Sequence, residues 1–205
     1  MIMWFKGVAI IALIFCLISC IYHIVRLIKL GGPTDLSQKR GNTGSAIFFS
    51  YTGAMSPTKK ESAYLHLPTY TSGIIYHLGT FLSIILFFVN LLGIAISGPL
   101  KIIGAIFLLL SVSCGVGIFI KRVVSKKLRS LSNPDDFFAN ILVTLFQLLT
   151  AITLIFNNYA SLYFILSSLL LIYLPAGKLK HAIYFFAARY HLGFFYGWRG
   201  VWPPK

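Results

Sequence analysis

Five long apolar stretches, at residues 8–28, 72–96, 100–120, 137–156 and 160–189, constrain this chain more than any other feature. A bilayer core is crossed by about 20 residues of α-helix at about 1.5 Å each, so every stretch is long enough to span it. No acid occurs in any of the five, and 72–96 carries no charge at all. Of the 205 residues, 58% are hydrophobic and only 11% are charged, against about 25% for a soluble domain. The reading is all-α: one integral-membrane domain over 1–205, built as a five-helix bundle. Its short turns, Ser97-Gly98-Pro99 and Asn157-Asn158, make neighbouring helices antiparallel. Asn133-Pro134-Asp135-Asp136 marks a helix entry with acids in its first turn. Pro175 and Gly177 interrupt the fifth stretch, which reads as a single helix kinked there. No small-x-small cleavage site follows the first apolar run, so that run is expected to stay as an uncleaved span.

The net charge of +14 first suggests nucleic acid, but its distribution gives it another meaning. Of the 18 Lys and Arg, all but Lys6 and Lys101 fall toward the side holding residues 29–71, the 121–136 connection and the tail. All four acids, Asp35, Glu61, Asp135 and Asp136, lie there too. The positive-inside rule makes that side cytoplasmic, with the N-terminus outside and the C-terminus inside. A cytoplasmic loop 29–71 and a cytoplasmic tail 190–205 then form the surface for an acidic partner protein; no nucleic-acid partner is expected.

Ionisable groups within the spans are few, which disfavours an acid-based proton relay or pump. Spans two to five offer only Asn90, Gln147 and scattered Ser and Thr as polar groups, so a transporter pathway ranks last. The three cysteines sit in apolar runs, and Cys16 and Cys20 read as small residues at a helix contact. The five histidines, His23, His66, His77, His181 and His191, all lie toward the basic side. His77 is expected about 8 Å below the start of span two, and His181 about 12 Å before Arg189 near the end of span five. Two imidazoles at similar depth on different helices are what bis-His ligation of a haem iron requires. Each could equally be a separate histidine bonded to a Ser, a Thr or a backbone carbonyl.

A family resemblance bears on that choice. The stretch Leu174-Pro175-Ala176-Gly177-Lys178-Leu179-Lys180-His181, followed by Arg189, resembles the last helix of the gamma subunit of respiratory nitrate reductase. There a Phe-Pro-x-x-x-Leu-x-His stretch followed by an Arg supplies a haem ligand. Tyr76-His77-Leu78-Gly79 resembles the partner His-x-Gly on that family's second helix. Lys121-Arg122 and Asn133-Pro134-Asp135-Asp136 resemble its loop between helices three and four. The likeness covers about residues 70–190. The same type of membrane cytochrome b serves sulfite-reductase-linked and heterodisulfide-reductase-like complexes.

The resemblance implies axial haem ligation by His77 and His181. Members with two haems carry further ligands at the positions of Phe87 and Tyr163, so the implied content is one haem b on the cytoplasmic side. Lys178, Lys180, Arg189 and Arg26 are placed to meet haem propionates, unless they snorkel to the interface. His66, His191 and Tyr76 are candidate hydrogen-bond donors to a quinone. The implied role is an electron-transfer subunit of a membrane oxidoreductase complex. It joins a cytoplasmic iron–sulfur subunit to the quinone pool in the lipid of a prokaryotic cytoplasmic membrane. The alternative is a cofactor-free membrane anchor or assembly subunit.

Overall fold

The computed structural model describes residues 2–32, 34–56 and 65–204. Glu61, counted above among the acids, lies outside the described residues. The described chain is helical, without strands. Its helices are α1 (Ile2–Lys29), α2 (Thr43–Tyr51), α3 (Leu67–Leu92), α4 (Gly98–Val124), α5 (Lys126–Ser130), α6 (Pro134–Ile155), α7 (Ala160–Ala176) and α8 (His181–Trp198). Five helical segments are long and apolar enough to cross a membrane: α1, α3, α4, α6, and 157–176, which holds α7 and the turn before it. Large hydrophobic side chains such as Ile11, Phe15, Ile85, Ile103 and Ile106 stand exposed on them. That much bare apolar surface suits a lipid environment rather than water.

The chain divides into two compact units: Met1–Leu17 with Pro68–Leu179, and Ile18–Leu67 with Lys180–Lys205. In the first unit α6 is the most enclosed of the spans. Its Leu142, Val143 and Phe146 meet Phe87 of α3 and Tyr163, Phe164 and Leu170 of α7 in one core. A second cluster joins Leu86, Ala105, Leu108, Ala151 and Leu154. The helix-entry signal before α6 is realised as a capping box. Asn133 Oδ1 accepts from the Asp136 amide at 3.0 Å, and Asp136 accepts in return from the Asn133 amide at 2.9 Å.

In the second unit α8 crosses α2 backbone to backbone. Ala46 and Ser50 on α2 are fully buried, and Gly193 and Gly197 on α8 are buried opposite them. A Cβ on Gly193 would stand 2.5 Å from Ile47 Cα. Residues 34–56 of the loop and 190–204 of the tail are therefore built structure rather than open connections. Asn42 caps α2 by accepting from the Gly44 and Ser45 amides. The tail is tied down by Trp198 Nε1 donating to Ser37 O at 2.7 Å and by an Arg199–Asp35 ion pair.

Two span boundaries differ from expectation. The second span runs 67–92 rather than 72–96. Pro68 is tolerated in the first turn, and Gly93, at φ +71°, closes the helix in a Schellman arrangement: Ile94 N–H bonds Val89 O and Gly93 N–H bonds Asn90 O. The fifth span was expected to continue to 189 through a kink. It stops at Ala176, Gly177 leaves the helix in an extended conformation, and a 3₁₀ turn at Lys178–Lys180 precedes a separate helix. The Tyr173 ring lies over Gly177, where any Cβ would strike it.

Candidate functional site

These boundaries move both candidate haem ligands. His77 stands ten residues into α3, about 15 Å along it rather than 8 Å. His181 is the first residue of α8 rather than a residue deep in span five. The equal-depth reasoning that paired them from the sequence therefore does not carry over. His77 belongs to the first unit and His181 to the second, and each is exposed in its own unit. Among the described residues no three His, Cys, Asp or Glu side chains gather as a metal cluster. A zinc-type site with three or four ligands is thus not formed there, whereas a haem iron needs only two imidazoles from the protein.

In the first unit the neighbours of His77 are committed to packing. The hydroxyl of Tyr76, a candidate quinone contact, donates to Asn140 O at 3.0 Å and lies 2.9 Å from Thr144 Oγ1, inside the α3–α6 contact. Gly79, the glycine of the His-x-Gly motif, is buried, and the space a Cβ would take is filled by Ser111 and Gln147. Lys178 pairs with Asp136, which also meets Arg122 at 3.3 Å, so Lys178 already has a carboxylate partner within the protein.

The positions that hold outer-haem ligands in two-haem relatives of the resembled family carry Phe87 and Tyr163. Both are buried, at 3% and 0% exposure. Tyr163 stacks on Phe146 with ring centroids 6.0 Å apart, and Phe87 contacts Tyr163 and Phe164. Packed aromatic side chains fill the bundle at that level.

In the second unit Arg189 stands out. Its Nε and Nη2 are buried with no hydrogen-bond partner, while its carbonyl accepts from Ser50 Oγ at 2.7 Å. Buried guanidinium N–H groups without an acceptor are costly, so this edge of half-buried Arg189 suits an anion. The carboxylates of haem propionates would meet that need, and the residues present fit the group in this respect. His23 Nδ1 lies 3.1 Å from the Tyr184 hydroxyl. Lys180 is exposed just before α8, Arg26 is exposed on α1, His191 is exposed on α8 beside Tyr190, and His66 is exposed in the turn before α3. Asp35, outside the spans, is held below its ordinary value of 3.8, first by the Ser37 hydroxyl and amide and then by Arg199.

Sequence reasoning passed over the polar network of the first unit. Ser111 Oγ donates to Gln147 Oε1 at 2.6 Å, and Gln147 Nε2 donates to Thr80 Oγ1 at 2.8 Å and to Tyr76 O at 3.1 Å. The signal was present in Gln147, an amide in an apolar span, but was read only as absence of a transport path. Two cavities of about 280 Å³ also open in this unit, one at each end of its helices, and neither is lined by a histidine.

Comparison with known proteins finds no matching family model, no similar curated protein and no similar solved structure.

Proposed function

We propose that this chain is a haem b-binding membrane subunit that passes electrons between a cytoplasmic iron–sulfur subunit and the membrane quinone pool. The observation that carries the reading is the pair of buried guanidinium nitrogens of half-buried Arg189, Nε and Nη2, left without an acceptor eight residues after His181 on the same helix. Lipid tails and apolar side chains offer it no acceptor, and a cofactor carboxylate does. His77 and His181 are the proposed axial ligands, supported by the resemblance of their flanking residues to a haem-binding family. Haem, when bound, supplies one-electron chemistry between one-electron clusters and a two-electron quinone.

The protein's own residues then divide the work. Arg189 holds one propionate, with Lys180 and Arg26 as the remaining cations for the other. Lys178 is withdrawn from that role by its bond to Asp136. His66 and His191 remain the proposed donors to a quinone carbonyl. The packed Phe87, Phe146, Tyr163 and Phe164 leave one haem as the favoured content. The basic ends of α4 and α5, with Lys121, Arg122, Lys126, Lys127 and Arg129, support a cytoplasmic placement of that face and an outside N-terminus.

Pyridine-haemochrome quantification of the purified full chain tests this. One b-type haem per chain is expected. Its absence from a folded preparation returns the chain to the second reading, a cofactor-free anchor, which the lack of a histidine lining either cavity favours.

A further inference from the structure

A cavity of about 280 Å³ opens at the basic end of the first unit, lined by Thr69, Ile118, Lys121, Arg122, Leu128, Leu131, Ser132, Asp136 and Lys178. The start of α3, the end of α4, the start of α6 and the segment after α7 converge there, so the cavity sits where four helices end. Three cations face it against one carboxylate. Asp136 is committed to Arg122 and Lys178, while among the described residues Lys121 bonds a neutral hydroxyl, that of Thr69, and pairs with no carboxylate. The bordering helix α5 adds Lys126, Lys127 and Arg129. The lining thus retains an excess of positive charge, and the Thr69 hydroxyl, which accepts from Lys121, keeps its own proton to donate. Two leucines of the lining stand exposed beside these charges: Leu131 at 76% and Leu128 at 36%.

Positive charge and a hydroxyl beside exposed leucines match an amphiphile with an anionic phosphate head. We propose that this cavity binds the phosphate of an anionic phospholipid, with Lys121 as the principal charge contact and Leu131 and Leu128 against its acyl chains. Basic pockets between the ends of membrane helices are suited to such headgroups. A soluble phosphate would use the same cations but would gain nothing from the two exposed leucines. This inference does not depend on a haem.

The test uses the full-length protein in detergent, titrated with phosphatidylglycerol or phosphatidylcholine and read by native mass spectrometry. One phosphatidylglycerol is expected to be retained in preference to phosphatidylcholine, and millimolar inorganic phosphate is expected not to displace it. Lys121→Gln is expected to weaken retention about fivefold, Lys121→Arg to restore it, and Lys101→Gln, at the opposite end of α4, to leave it unchanged. Lys121 is exposed and does not pair with Asp136, so its removal spares the fold; circular dichroism checks this. Equal retention of the two lipids, or equal behaviour of Lys121→Gln and Lys101→Gln, overturns the site. Displacement of the lipid by inorganic phosphate overturns the lipid as its occupant.

Discussion

Ser111 of α4 donates a hydrogen bond to Gln147 of α6 at 2.6 Å, and both side chains are fully buried. The Gln147 amide nitrogen continues the chain to Thr80 Oγ1 and Tyr76 O on α3, so one side chain fastens three helices. Apolar side chains gain little from leaving lipid, and interhelical hydrogen bonds and close packing take a larger share of holding membrane helices together. Gln147→Leu is expected to lower stability by about 1–2 kcal/mol, because Thr80 and Ser111 lose their partner while apolar volume is kept. The midpoint of unfolding in mixed detergent and dodecyl sulfate measures it.

Gly79 makes that contact possible. A Cβ there would strike Ser111, whose hydroxyl and Cβ occupy the space. Gly79→Ala is expected to destabilise by about 1–3 kcal/mol through overpacking. Adding Ser111→Gly removes both obstructing atoms, so the double variant is expected to be less damaged than the sum of the two singles. A double-mutant cycle of the same unfolding midpoints reads this coupling.

The α2–α8 crossing of the second unit obeys the same rule with harder walls. A Cβ on Gly193 meets Ile47 Cα and Ala46 O, and one on Gly197 meets Ala46 Cβ and Thr43 Cα. Backbone cannot rotate away as a side chain can. Gly193→Val is therefore expected to separate α8 from α2 and to expose the protected amides of Thr43–Tyr51. Hydrogen exchange over that segment is the measurement, with unchanged exchange as the contrary result.

The Asp35–Arg199 pair gives a pH dependence with a definite sign. The Asp35 carboxyl is held below 3.8 by Ser37 and Arg199, so its contribution is present above that value and is lost as the pH falls through its depressed value. The tail is expected to stay docked across neutral and mildly acidic pH and to loosen only below about 3.8. Trp198, which donates to Ser37 O, reports this by fluorescence. Asp35→Asn is expected to loosen the tail at neutral pH as well.

Helix content and the five apolar segments were legible because length and hydropathy decide them. So was the start of α6, where Asn133 and Asp136 form a local capping box. The ends of α3 and α7 were less legible. Gly93 closes α3 through a backbone conformation, and Tyr173 packs over Gly177, a contact between side chain and backbone that hydropathy does not register. Those ends set where His77 and His181 stand along their helices. The partners of Tyr76, Asn140 and Thr144, lie on another helix far along the chain, where local pattern does not reveal them. Ordered structure in 34–56 and 190–204 was hidden for the same reason. α2 is short, and it holds its place through contacts with Gly193 and Gly197 about 150 residues away.

The central proposal, a haem held by His77 and His181 with Arg189 on a propionate, is tested most directly by a dithionite-reduced minus oxidised spectrum. It would be recorded on the full chain and on His77→Ala, His181→Ala and Arg189→Gln. A single b-type α-band is expected in the parent. It should be lost in both histidine variants and retained in Arg189→Gln with a shifted midpoint potential, since the propionate's countercharge is gone. A b-type spectrum that survives His77→Ala or His181→Ala, or a folded parent with no haem band at all, would contradict it.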